Sequence, residues 1–159
     1  MKKILIYLLF VSLLSPSCKK SFIELTPIST ASVNDVYKTD KDFQDAVVGI
    51  YTTLRNQSQD FWIFGDLRAD DSWHALGNDA FLVSVNTFSM SSSASLMINS
   101  WRNYYKMIER ANMVLSKIAD ADPAVVKNKD QHIVEAKLLL AFAYFHWLRI
   151  WWNVPLITA

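Results

Sequence analysis

Glycine is almost missing from this 159-residue chain: Gly49, Gly65 and Gly77 are all it has, too far apart to write a phosphate-cradling loop of the dinucleotide or Walker type. Cysteine is scarcer still, and the single thiol, Cys18, excludes an intramolecular disulfide framework and every multi-cysteine zinc cluster. No charge predominates: 16 Lys and Arg meet 15 Asp and Glu, for a formal net charge of +1, and no basic block exceeds a short pair. That leaves no electrostatic footprint for nucleic acid. What the chain has in quantity is apolar surface. With 52% hydrophobic and 13% aromatic residues it can fill a core, which argues against global disorder. The length suits one domain, or a piece of a larger one.

Met1-Lys2-Lys3 is a short positive head, followed by an apolar run from Ile4 to Leu14 broken only by Ser12. A helix over that run rises about 16 Å, roughly half the hydrocarbon core of a bilayer, so it has the form of a secretory signal and not of a membrane anchor. Ser15-Pro16-Ser17 then lead to Cys18. Two readings of that cysteine stand. In a bacterial lipoprotein signal, cleavage before Cys18 frees its amine and the thiol carries diacylglycerol; in an ordinary signal peptide the cysteine merely lies near the cut. A lipoprotein signal usually has Leu three residues before the cysteine, where this chain has Ser15, with Leu14 one step further away. The expectation is a lipoprotein signal over residues 1–17, a tether and N-terminal segment over 18–37, and a helical domain over 38–159. Attachment through several acyl chains at Cys18 would be essentially permanent, where one chain is marginal.

The mature part reads as paired helices. Thr39 is a good N-cap and Asp42, three residues on, can return the hydrogen bond. Phe43, Ala46, Val47, Ile50, Tyr51 and Leu54 then recur at helical steps, placing one apolar stripe on a helix over about Asp40 to Arg55. From Asn56 to Ala94 no period is sustained, so a long irregular loop is expected, with weakly signalled strands at Phe81–Val85 or Thr87–Met90. A second helix is expected from Ser95 to Ala119, with Met97, Trp101, Tyr104, Tyr105, Ile108, Ala111, Leu115 and Ile118 on one face. Asp122-Pro123 supplies an N-cap with proline at the first helical position, opening a third helical region that strengthens from Asp130 to Trp152. Within it, 13 of the 15 residues from Leu138 to Trp152 are apolar, His146 and Arg149 being the exceptions. Such a segment is expected to be buried all round, at about 2 kcal/mol gross for each buried side chain. The second and third helices make an antiparallel hairpin that partly echoes a tetratricopeptide repeat: Trp101, Tyr104 and Ile108 in the first helix, Ala141, Phe145 and Pro155 in the second. Tyr105 departs from that pattern, and Pro155 comes late. One hairpin cannot cover Leu138–Trp152, so more helices are expected around it. The fold class is all-α.

The ordered series of segments is similar to a known family. It comprises Cys18; Phe22-Ile-Glu-Leu-Thr-Pro27; Thr39-Asp-Lys-Asp-Phe43; Tyr51-Thr-Thr-Leu-Arg55; Gly65-Asp-Leu-Arg-Ala-Asp70; Trp101, Tyr104 and Ile108-Glu-Arg-Ala-Asn112; and Glu135-Ala-Lys137 with Tyr144, Leu148-Arg149 and Val154-Pro-Leu-Ile-Thr158. This resembles the N-terminal part of the SusD/RagB family of outer-membrane nutrient-binding lipoproteins. Family members are considerably longer, so a truncated copy or an incomplete chain is expected. The resemblance implies tetratricopeptide-like helical pairs, lipid-anchored at the outer membrane and facing outward. It also implies a hinged lid on a SusC-like TonB-dependent transporter that delivers glycans, or in some members peptides. It implies no catalysis and no cofactor, and places Asp70 near the ligand face.

Asp70-Asp71-Ser72-Trp73-His74 is the most site-like stretch, because a sugar is held by a ring against its apolar face and by carboxylates at its hydroxyls. A loop plug with a turn-capping Asp is the competing reading. Trp62, Asn78 and Phe81 are weaker candidates. Adjacent Asp70 and Asp71 do not supply the spaced carboxyl pair that glycoside hydrolysis needs. His132 and Glu135 stand three apart but lack a third metal ligand, and a solvated helix face is expected there. His146 is read as a hydrogen-bonded core histidine. Arg149 is read as paired with a buried acid or directed to the surface, and Trp101, Tyr104 and Tyr105 as core. A helical scaffold binding only protein is the alternative class.

Overall fold

Thr39 starts the first helix by a reciprocal cap. Its hydroxyl accepts the Asp42 N–H at 3.3 Å, and the Asp42 carboxylate accepts the Thr39 N–H at 2.8 Å. The computed structural model describes residues 36–70, 72 and 79–158, all within one compact unit, Val36–Ala159. Helix α1, Asp40–Asn56, buries Phe43, Val47, Ile50 and Thr53. Ala46 and Leu54 are half-buried as the period requires, but Tyr51 is exposed. Tyr51 and Thr53 flank the stripe on opposite sides, and the buried flank is the one that meets Arg110.

The stretch expected to be an irregular loop is instead broken into short helical pieces, and no strand occurs among the described residues. They are α2, Ser58–Phe61; a π-turn, Trp62–Asp66; and α3, Ala80–Asn86. The expected strand at Phe81–Val85 is therefore a helix. Its cause is local: the Asp79 carboxylate accepts the N–H groups of Phe81 and Leu82, at 3.0 and 3.3 Å, and so caps the first turn. Ile63, Phe64, Leu67 and Val85 bury each other in a small second core, with Phe81, Leu96 and Met97 packed around them.

Helix α4 spans Ser95–Ala119, with the bounds that the periodicity predicts, and α5 spans Lys129–Trp151. The last helix begins later than the Asp122-Pro123 signal suggests. Asp122 does cap a turn, its carboxylate accepting the Ala124 N–H at 2.8 Å, but only one: its carbonyl accepts the Val126 N–H at 2.9 Å, and the chain then bends before Lys129. Lys129 Nζ donates back to the carbonyls of Ala119 and Ala121, at 3.1 and 2.9 Å, satisfying acceptors that the end of α4 leaves open.

Contacts at both ends fix the directions. The start of α5 meets the end of α4 through Lys129, while Trp101 near the start of α4 lies 4.7 Å from Trp147 and 5.4 Å from Trp151, centroid to centroid. The two helices are therefore antiparallel, as the hairpin reading expects. Helix α1 runs alongside with its own start at the start of α5. The Asp40 carboxylate accepts the Asn128 N–H at 2.9 Å and its amide at 2.7 Å, and Phe43 stacks on His132 at 6.4 Å.

The main core lies between these three helices: Phe43, Val47 and Ile50 from α1; Tyr104, Met107, Ile108, Ala111, Val114 and Ile118 from α4; Ala136, Leu139, Ala143 and Trp147 from α5. Helix α5 is fully buried on that side, and Phe142, His146 and Ile150 along one flank are half-buried. Val134, Leu138, Phe145 and Leu148 are exposed on its other face, so the all-round burial expected for Leu138–Trp152 does not occur. No helix among the described residues is long and apolar enough to cross a membrane.

Candidate functional site

The Gly65–Asp70 segment leaves the π-turn and is held at its base by Asn86 of α3, whose amide donates to the carbonyls of Leu67 at 2.8 Å and Ser72 at 3.2 Å. One side chain thus fixes the backbone on either side of Asp70. Asp70 itself is exposed on a turn, and Trp62, in the first position of the π-turn, is 46% exposed. Phe81 is half-buried against the second core and is no free ring. The remaining candidates of the stretch, Asp71, Trp73, His74 and Asn78, lie outside the described residues, as does Cys18 with the whole leader.

Against Arg68 the structure places a ring that the sequence pattern did not single out. Phe88 follows α3, is 66% exposed, and takes a φ of 56°. A bulky residue in the left-handed region is uncommon, and such backbone is held only where surrounding contacts determine it. The Arg68 guanidinium lies 4.8 Å over this ring. Arg68 and Phe88 thus bring a donor against an aromatic ring, and Asp70, an exposed acceptor, follows Arg68 by two residues. The signal available in the sequence was weak, because a phenylalanine in a period-2 stretch reads as a strand residue.

Other titratable candidates resolve differently. His132 is buried, not on a solvated face. Its Nε2 lies 3.3 Å from the Asp40 carboxylate, while Glu135 accepts from Gln131 at 2.8 Å. Hydrogen bonds from the Asn128 backbone and side chain, with a smaller contribution from His132, hold the Asp40 carboxyl below its ordinary range. His146 is a half-buried ring among Phe142, Phe61 and Phe145, at 4.3, 4.6 and 5.3 Å, with no hydrogen bond among the described residues, so the hydrogen-bonded core reading fails. Burial, and secondarily Arg149, lowers its pKa. Arg149 is directed to the surface, 5.5 Å over Phe145. Trp101, Tyr104 and Tyr105 are core, with Tyr105 edge-on to Trp147 at 3.8 Å. No group of three or more His, Cys, Asp or Glu among the described residues is placed to hold a metal.

Three polar residues for which the sequence alone implied no contact are structural clamps. Arg110 Nη1 donates to Gly49 O at 2.7 Å and Thr53 Oγ1 at 2.6 Å, joining α4 to α1. Asn112 and Tyr144 hold the extended segment at Ile157. The signal was present: Asn112 interrupts the apolar stripe of α4.

These features define an all-α protein of packed helical pairs, with a small polar-aromatic region on its second core. The chain belongs to the SusD-like family: residues 22–159 match a family model described as "Starch-binding associating with outer membrane". It is similar to SusD-like protein P38 of Formosa agariphila, 28% identical, covering 96% of this chain and 30% of that protein. It is also similar to a SusD-like protein of Bacteroides ovatus, 26% identical, covering 99% of this chain and 29% of that protein. The chain thus spans about three-tenths of the length of the curated relatives it matches. No solved structure matches it.

Proposed function

We propose that this protein is a surface lipoprotein, anchored through Cys18, that binds glycan nutrients and passes them to a TonB-dependent outer-membrane transporter of the SusC kind without acting on them chemically. The observation that carries the reading is the family match from residue 22 to 159, whose description is of starch binding at the outer membrane. The local geometry supports it: Phe88 supplies a ring face, Asp70 an acceptor and Arg68 a donor, the combination a sugar needs. Trp62, exposed on the π-turn, is a further candidate ring, and Asp71, Trp73, His74 and Asn78 stay candidates from the sequence alone. Peptides are the alternative cargo.

Affinity electrophoresis through gels containing a panel of polysaccharides tests this. Retardation in at least one gel, reduced in Phe88→Ala and in Asp70→Ala, is the expected result. No retardation in any gel removes the glycan reading. What would then remain is a protein-binding scaffold, a reading favoured by the open apolar face of α5.

A further inference from the structure

The outward side of α5 carries its apolar residues in an ordered row. Val134, Leu138, Ala141, Phe145 and Leu148 recur at steps of 4, 3, 4 and 3, and all five are exposed. Trp152, 88% exposed, stands four residues further, just past the helix end. A helix that merely borders solvent is polar on that side. Alternating steps of 3 and 4 average 3.5 residues, the spacing that keeps one seam against a second helix. From Val134 to Leu148 the row is about 21 Å long.

Two charged residues border that row on one flank. Glu135 follows Val134 near one end and Arg149 follows Leu148 near the other, and neither has an ion-pair partner among the described residues. The Gln131 amide donates to Glu135 Oε1 at 2.8 Å, and the Arg149 guanidinium lies 5.5 Å over the Phe145 ring, at the edge of the row. Along this flank each helix therefore offers an acid toward its start and a base toward its end. Such a flank is complementary to itself reversed.

We propose that this row is the interface with a second copy of the chain, the two α5 helices packing antiparallel about a two-fold axis. In that arrangement the same flank of both helices lies together, so Glu135 of each copy meets Arg149 of the other, twice per dimer. The same register sets Leu138 opposite Leu148 and Ala141 opposite Phe145, so the smallest side chain of the row faces its ring. A parallel pair would instead set Glu135 beside Asp130 of the other copy, two like charges, and would give Arg149 no acid. An unrelated apolar partner would use the row but leave the reversed charges without a role. The proposal goes beyond the glycan reading and does not depend on it.

Sedimentation velocity of the full chain over a range of concentrations, beside Glu135→Arg and Arg149→Glu, tests it. The parent is expected to reach a dimer and no larger species. Each single variant sets like charges against each other in its own dimer and should associate about tenfold more weakly or worse. An equimolar mixture of the two variants restores both opposite-charge pairs and should recover the parent affinity. A chain carrying both reversals restores them as well and should dimerise like the parent. Neither residue is buried, and unchanged circular dichroism checks that the variants fold. A parent that stays monomeric at every concentration overturns the proposal and leaves the row to a different polypeptide. Association that neither reversal weakens, or that neither the mixture nor the double reversal restores, overturns it in favour of another surface.

Discussion

The Tyr144 hydroxyl is bonded twice to one residue: it accepts the Ile157 N–H at 2.7 Å and donates to the Ile157 carbonyl at 3.0 Å. The Asn112 amide donates to that same carbonyl at 2.9 Å. An extended segment without a neighbouring strand is thereby held by side chains of two helices, α4 and α5. Tyr144→Phe keeps the ring and removes only the hydroxyl, at a cost of about 1 kcal/mol confined to this segment. The Ile157 amide is expected to exchange its hydrogen faster while the core amides of α4 are unchanged, which exchange NMR reads directly.

Arg110 plays the same part between α4 and α1. Its guanidinium reaches Gly49 O and Thr53 Oγ1, while Thr53 Oγ1 also donates to Gly49 O at 3.1 Å. Arg110→Met should lower stability by about 1.5–3 kcal/mol, as expected for hydrogen bonds to a charged group. Urea melts of Arg110→Met, Thr53→Val and the double variant should give a sum of singles larger than the double, because both residues serve one site.

Features governed by neighbouring residues were readable from the sequence. The Thr39–Asp42 cap and both ends of α4 follow from local hydrogen bonding and from a sustained period. Two features were not. Helix α5 is apolar on nearly every side, so it has no period to say which face turns inward; the structure chooses the row of Ala136, Leu139, Ala143 and Trp147, with Trp147 packed against Trp101 and Tyr105. The segment around Phe81 alternates like a strand, and one capping carboxylate at Asp79 outweighs that pattern. Of the candidate site, Asp70 and Trp62 were legible as polar and aromatic residues in a turn-rich stretch, whereas Phe88 depends on a backbone conformation that no spacing encodes.

The α1 cap has a pH signature. Hydrogen bonds from the Thr39 backbone, the Thr39 side chain and the Lys38 backbone lower the Asp42 carboxyl below its ordinary value of 3.8. A lowered carboxyl contributes stability that is present above the unfolded value and lost as pH falls through the folded one. Asp42→Asn should therefore be less stable than the parent at neutral pH and converge with it in strong acid. Thr39→Ala should cost about 1 kcal/mol at neutral pH. Thermal melts across the acid range check both.

Asp60 has the opposite sign. Its folded carboxyl is raised by burial, so it binds a proton more tightly than the unfolded chain does. Its contribution is intact below the unfolded value of 3.8 and is lost as pH rises through the folded one. Asp60→Asn should raise the Tm at neutral pH, with the difference closing in acid. A variant that melts lower at neutral pH would mean that the ionised carboxylate has a partner in the ligand-free protein.

The outward row of α5 leaves large apolar side chains exposed. Leu138 is 61% exposed and Leu148 47%, on the face opposite Leu139 and Trp147. Apolar rows of this kind mark interfaces. Because Leu138 and Leu148 are exposed, replacing both with Gln should change folding stability by no more than about 0.5 kcal/mol per site. Leu139→Ala, one position along, opens a cavity in the packed face and should cost about 2–5 kcal/mol. The two kinds of change should also separate in sedimentation velocity. The chain with its leucines should self-associate as concentration rises, and the Leu138→Gln, Leu148→Gln double variant should sediment as a monomer. A parent chain that is already monodisperse and unaffected by the double substitution would show that the row needs no cover.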